Sequence, residues 1–243
     1  MGQIISVVSG KGGTGKTTMC AGLASCLAAE GSRVLCIDMD VGLRNLDIAL
    51  GMSEESVITF TSVMRGEYSV LQATQNRVIE NLFLLTAPLT EKPEQIGKEP
   101  FSAMLLGAAK EFDFVLLDAP AGIGAGFFLA VENADLSLVV CNADPASLRD
   151  AAATAQLLPE DRQAKLIVNR IGSRLFAKLR STVDDVMDTV GLPLLGIVPD
   201  DENVTFAAAS SMPLIQYTGH GAARACLNMA RRLCGRKMPL MHL

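Results

Sequence analysis

Tryptophan is absent from the 243-residue chain, and aromatic residues make up only 5 % of it. A core must therefore be assembled from Val, Ile, Leu, Ala and Met, which suits a parallel sheet covered on both faces. Excess positive charge is missing as well. The formal net charge is −5, so no global field draws the protein to nucleic acid or anionic lipid. No apolar run approaches the ~18 residues needed to cross a bilayer. No basic segment precedes the short first apolar run, so a signal peptide is not expected. CxxC pairs are also lacking. The six cysteines, at positions 20, 26, 36, 141, 226 and 234, fall mostly on apolar positions, where reduced thiols act as small core residues. Together these absences point to a cytoplasmic protein.

What is present is a rhythm of short apolar runs alternating with helical patterns, the mark of βαβ units. Strands are expected over 3–9, 33–37, 81–86, 113–117, 136–141, 165–168 and 194–198. Helices are expected over 17–30, 101–112, 145–158, 182–190, 204–210 and 221–234. The run Phe114-Val115-Leu116-Leu117 is apolar throughout rather than alternating, which signals burial on both faces. The polar, proline-bounded stretch 88–100 reads as a surface connection. With no repeat and no linker, residues 1–243 are expected to form a single domain. The expected class is α/β: three α/β/α layers on a mostly parallel twisted sheet, the P-loop NTPase fold.

Residues Gly10-Lys11-Gly12-Gly13-Thr14-Gly15-Lys16-Thr17 satisfy GxxxxGK[ST] between an apolar strand and a helix, the context that gives the motif its meaning. The glycines let consecutive backbone N–H groups face one point, on the positive end of the helix dipole. Lys16 can then reach β- and γ-phosphates, and the Thr17 hydroxyl can ligate Mg²⁺. A carboxylate is needed at the end of a neighbouring strand. Asp118 closes the run 112–118 in that way, while Asp113 starts the same run at its opposite, structural end. The turn 119–126 supplies flexible backbone beside the γ-phosphate, as a switch loop would. Asp38 and Asp40 follow the second strand in the same manner.

A second lysine in the loop, Lys11, has no purpose in an ordinary P-loop. With Lys16 it makes the KGGxGKT signature of the MinD/ParA family of deviant Walker A ATPases, which this chain resembles. The stretch Asp38-Met39-Asp40-Val41-Gly42-Leu43-Arg44-Asn45-Leu46-Asp47 is similar to the switch I segment of MinD-type members, and Asp118-Ala119-Pro120-Ala121-Gly122-Ile123 to their switch II. Val168-Asn169-Arg170, Gly196-Ile197-Val198-Pro199-Asp200-Asp201 and the stretch 228–233 match further segments in order, so the resemblance spans essentially the whole chain.

The resemblance implies an ATP-dependent dimerising switch that hydrolyses ATP slowly and places the division septum, with ATP and Mg²⁺ bound. Catalysis would fall to Lys11, Lys16 and Asp40. Lys11 would act across a nucleotide-sandwiched homodimer, and Asp40 would position the attacking water. The nucleotide would be held by Gly10, Lys11, Gly12, Gly13, Thr14, Gly15, Lys16, Thr17 and Thr18, with Asn169, Arg170, Pro199 and Asp200 on the adenine side. The metal set would be Thr17, Asp38 and Asp118. In the monomer Lys11 would pair with Asp150. A MinC-like inhibitor and a MinE-like activator would dock near the helix 145–158.

MinD-type members normally carry a membrane-inserting amphipathic helix after the last core helix. Here Gly235 and Pro239 interrupt residues 235–243, and four residues beyond a proline make barely one turn. Direct membrane contact is therefore in doubt, and a location peripheral to the inner face of the cell membrane stands beside the cytoplasmic one. The alternatives are a ParA-type or flagellar-number positioning ATPase and an iron–sulfur scaffold ATPase. Against the first, Arg224, Arg231, Arg232, Arg236 and Lys237 read as solvated helix charges, and the Pro-Gln pair usual after the ParA switch I aspartates is missing. Against the last stands the lack of CxxC.

Overall fold

The computed structural model describes residues 1–41, 44–55, 57–89, 91, 93–172 and 183–241. Gly42 and Leu43 of the switch-like stretch, position 182 and the final residues 242 and 243 lie outside them. Eight strands follow in chain order: β1 (Gln3–Val8), β2 (Val34–Asp38), β3 (Thr74–Gln75), β4 (Leu82–Leu85), β5 (Phe114–Asp118), β6 (Leu136–Asn142), β7 (Gln163–Ile171) and β8 (Leu194–Pro199). They form one sheet in the order β3-β4-β2-β5-β1-β6-β7-β8, parallel except at the β3–β4 edge. The helices are α1 (Lys16–Ala29), α2 (Leu46–Ala49), α3 (Phe60–Met64), α4 (Lys98–Glu111), α5 (Ala125–Asn133), α6 (Pro145–Ala155), α7 (Val183–Val190), α8 (Asn203–Ala209), α9 (Leu214–Tyr217) and α10 (Gly221–Leu233).

Successive side chains of a strand point to opposite faces, and both faces here are dry. From β2, Leu35 and Ile37 join one core with Phe60, Phe101 and Phe127 of α3, α4 and α5. Val34 and Cys36 join the other, with Met19, Leu23 and Leu27 of α1 and Met229 of α10. This double burial explains why the strands read as apolar runs, and it realises the expected three-layer α/β architecture. Phe101 is fully buried and meets the Phe60 ring edge-on at 5.7 Å. Phe101→Ala is expected to cost about 3–5 kcal/mol. Urea denaturation checks this, and a loss under 1 kcal/mol would mean that the layer between α3 and α4 collapses freely into the void.

The sequence reading missed several elements. The β3 strand has two residues, and α2, α3 and α9 have four or five, too short for any period to register. The nine residues of α5 are apolar on almost every side, so they carry no helical stripe, and the helix takes up the end of the turn expected over 119–126. The 88–100 stretch is not wholly a connection: 93–95 form a 3₁₀ turn and α4 begins at Lys98, with Pro100 in its first turn. Proline is tolerated there because its missing N–H would have had no partner. Five cysteines are buried and all six are free, while Cys234 is exposed.

Of the five basic residues expected as solvated helix charges, Arg231, Arg232 and Arg236 are instead tied to the fold, while Arg224 and Lys237 are exposed. Arg231 and Arg236 both pair with Glu30, at 2.8 and 2.7 Å. Arg232 turns inward to the carbonyls of Leu195, Met238 and Pro239. Among the described residues, no helix is long and apolar enough to cross a membrane.

Candidate functional site

In a parallel α/β sheet, ligands bind beyond the carboxyl ends of the strands. The segments after β1, β2, β5 and β8 and the last residues of β7 converge there. After β1 the chain turns through the glycine loop into α1, with Gly15 capping the helix in the left-handed conformation at φ 88°. Gly10 packs against α6 so closely that a Cβ would lie 2.5 Å from Thr154 Oγ1 and 2.7 Å from the Asp150 carbonyl oxygen. The Ser9 hydroxyl donates to the Lys11 carbonyl at 2.9 Å and sets the start of the loop. The amides of residues 12–17 donate to no protein acceptor among the described residues. These residues line a cavity of about 460 Å³ that Thr18, Asp40, Asn45 and Ala121 also border.

Lys16 and Asp118 meet at the floor of this site, Nζ to Oδ1 at 3.0 Å, both almost wholly buried. The Thr17 hydroxyl also bonds Asp118. Burial pushes the Asp118 carboxyl up, and the charge of Lys16 with the two hydrogen bonds opposes it. Asp38 stands beside Asp118 in the β2–β5 register. Its oxygens accept from the Asp40 amide at 2.9 Å and the Leu46 amide at 3.2 Å. Burial, then the neighbouring Asp118 charge, raise Asp38 to about 6. A nearby divalent cation would favour the ionised form of both acids. The Cys20 thiol is held well above its ordinary value by the neighbouring Cys36 thiol and by burial. It is a packing group, not a nucleophile.

Asp40 lines the loop cavity, but the two acids expected to hold the metal with Thr17, Asp38 and Asp118, line neither cavity described here: Asp118 is buried against Lys16, and Asp38 braces the segment that carries Asp40. Arg44, at φ 28°, anchors the far end of that segment by donating to the Ala87 carbonyl at 2.9 Å. A second, larger cleft of about 780 Å³ opens beside the first, between Thr18, Asn169, Arg170, Pro199, Asp200 and Asn203. The residues expected on the adenine side are thus brought together.

One expectation is corrected. No ion pair of Lys11 occurs among the described residues. Asp150 reaches the loop through its backbone carbonyl instead, and the Lys11 side chain is exposed at the cavity. The sequence reading also left Asn45 without a role, although it directly follows the switch aspartates and Arg44.

A cavity walled by the glycine loop and a buried lysine, with a strand-end carboxylate paired to that lysine, defines a P-loop nucleotide-binding α/β protein. The chain belongs to the CobQ/CobB/MinD/ParA nucleotide-binding family, whose profile matches residues 5–214. It is 35 % identical over 249 residues to the septum site-determining protein MinD of Bacillus subtilis, covering 100 % of this chain and 93 % of that protein. Among solved structures, MinD in the MinC:MinD cell division complex of Aquifex aeolicus superposes with a TM-score of 0.90 at 32 % identity, over 99 % of this chain and 98 % of the other. MinD of Pyrococcus horikoshii in complex with Mg-ADP superposes at 0.83 with 28 % identity, over 96 % of each chain.

Proposed function

We propose that the protein is a MinD-type switch ATPase: it binds Mg-ATP, pairs with a second copy of itself, hydrolyses ATP to ADP and phosphate, and serves placement of the division septum. The observation that carries this reading is a complete phosphate cradle with a second lysine at its rim, exposed and without an ion pair among the described residues. Chain-long similarity to septum-site MinD proteins supplies the process. Residues 1–243 act as one domain in the cytoplasm, at or near the inner face of the membrane. The region of α6 is the surface for a MinC-like inhibitor and a MinE-like activator.

The donor set suits magnesium, a hard cation that takes oxygen ligands. Thr17 would hold the ion through its hydroxyl, with Asp38 and Asp118 supporting it. Bound Mg²⁺ supplies neutralisation of the β- and γ-phosphate oxygens. The chain's own groups do the rest. Lys16 and the loop amides bind and orient the triphosphate. Asp40 accepts a hydrogen bond from the attacking water, whose oxygen bonds to the γ-phosphorus as the bond to the β–γ bridging oxygen breaks. Lys11 of the second copy neutralises the charge that gathers on the leaving ADP. Base and ribose lie in the cleft between Asn169, Arg170, Pro199 and Asp200.

Asp40→Ala leaves the phosphate cradle untouched, so it is expected to bind ATP and accumulate as a dimer. Its turnover is expected to fall by ~10²–10⁴, the usual contribution of a positioned base. Phosphate release together with light scattering in ATP and in ADP checks both statements. Hydrolysis at the wild-type rate would move the role to Asp47 or Asp38, and a variant that stays monomeric in ATP would end the dimer reading.

A further inference from the structure

We infer that Asn169 and Arg170 are positioning residues of the phosphate loop, bracing it from β7 so that its amides face the phosphates whatever base the ligand carries. The inference rests on the nucleotide reading above. Asn169 Nδ2 donates to the Thr14 carbonyl at 2.8 Å, and Arg170 Nη1 donates to the Gly13 carbonyl at 3.1 Å. Two consecutive side chains thus take two consecutive carbonyls of a loop some 155 positions away. Asn169 is only 4 % exposed, so water competes little for its bond.

The approach is close enough to dictate sequence. A Cβ at Gly15 would stand 2.2 Å from Asn169 Nδ2, and Gly15 sits at φ 88°. Only glycine accepts both conditions.

The consequence follows from the planar trans peptide, in which the C=O of one residue and the N–H of the next point in opposite directions. Drawing the Gly13 and Thr14 carbonyls towards β7 turns the Thr14 and Gly15 N–H groups away from it. Those amides have no protein acceptor among the described residues, and the loop that carries them walls the phosphate cavity. The brace therefore prepares an anion-binding concavity in advance, where a free loop would have to order itself around the ligand.

The anchor is firm for two reasons. The β7 strand is paired on one side with β6 and on the other with β8. The β7–β8 register also shifts between Val168 and Ile171, and Arg170 adopts φ 54°. Such an irregularity releases residues from the ladder and re-aims their side chains, here towards the loop.

The competing role is direct reading of the adenine, since both residues also border the larger cleft. A ligand with phosphates and no base separates the two. Calorimetric titration of the full-length wild type and the variants with Mg-tripolyphosphate and with Mg-ATP is the test. Asn169→Ala is expected to weaken both ligands by the same factor, roughly tenfold for a lost buried hydrogen bond. Asn169→Asp, which cannot donate and adds a negative charge to the loop, should lose more. Arg170→Gly removes an exposed side chain and suits the positive φ, so it carries the same test on a variant that keeps the fold. It too should weaken both ligands in parallel.

If Asn169→Ala and Arg170→Gly lose affinity for ATP but hold tripolyphosphate as the wild type does, they read the base and the bracing role is overturned. Unchanged affinity for both ligands overturns it equally. A wild type that binds neither ligand would instead bring down the nucleotide reading on which the inference rests.

Discussion

Lys16→Ala is expected to abolish Mg-ATP binding and, separately, to destabilise the ligand-free protein. In the cradle Lys16 is the buried cation among the uncharged amides of residues 12–17. Charge-assisted bonds to phosphate are about twice as strong as neutral ones, so the amides cannot make up its loss. The second effect comes from the partner left behind. Asp118 is 1 % exposed and 3.0 Å from Lys16. Removing one member of a buried pair typically costs about 3–5 kcal/mol, because the other charge stays buried without compensation.

The two effects can be told apart. Lys16→Ala/Asp118→Asn should recover most of the lost stability in chemical denaturation, since the orphaned charge has gone, and should still bind no Mg-ATP. Near-normal nucleotide affinity in Lys16→Ala would refute the assignment of the loop. Failure of the double variant to regain stability would mean that the pair is a minor element of the fold.

Lys11→Ala should leave nucleotide binding by one copy nearly intact while dimerisation and most of the turnover are lost. Lys16 already serves the phosphates in its own subunit. Lys11 has an exposed side chain, no ion pair among the described residues, and a backbone fixed by the Ser9 hydroxyl. A charge held at the open rim of a phosphate cavity is placed to act on a nucleotide shared with a second copy. Trans-acting arginines in comparable sites are worth ~10³–10⁵ in rate. An ammonium on a flexible stem, without the planar fork of a guanidinium, should give the lower part of that range. Light scattering with ATP in the Asp40→Ala background, with and without the Lys11 change, measures the dimer free of turnover. An ATP-dependent dimer that persists without Lys11 would keep the P-loop and remove the trans lysine.

Much of the phosphate site was legible because its parts are contiguous. Eight residues between a strand and a helix carry the glycines, the lysine and the hydroxyl, and no fold has to be known to see that they act together. Asp118 was legible for a related reason: an apolar run that stops at a carboxylate puts that carboxylate at a strand end, where parallel sheets keep their sites. The α5 helix was not legible, because nine nearly uniform apolar residues have no periodicity to distinguish helix from strand. Nor was the fate of Lys11, which looked ready to pair with Asp150. Whether the two meet depends on how α6 packs on Gly10, and that packing presents a carbonyl of Asp150 instead of its carboxylate.

The amino-acid sequence by itself determined the alternation of strands and helices, the double-faced core and the chemistry of the loop. Each depends on hydrophobic periodicity or on neighbours within a few residues, interactions the chain meets wherever it folds. Tertiary structure alone decided that Asp38 braces the switch segment, that Lys16 rests on Asp118 across 102 positions, and that Asn169 and Arg170 hold the loop from β7. These contacts are set by strand order and register, and the sheet β3-β4-β2-β5-β1-β6-β7-β8 is an order that no local pattern encodes. It emerges only when distant apolar faces compete for the same dry interior.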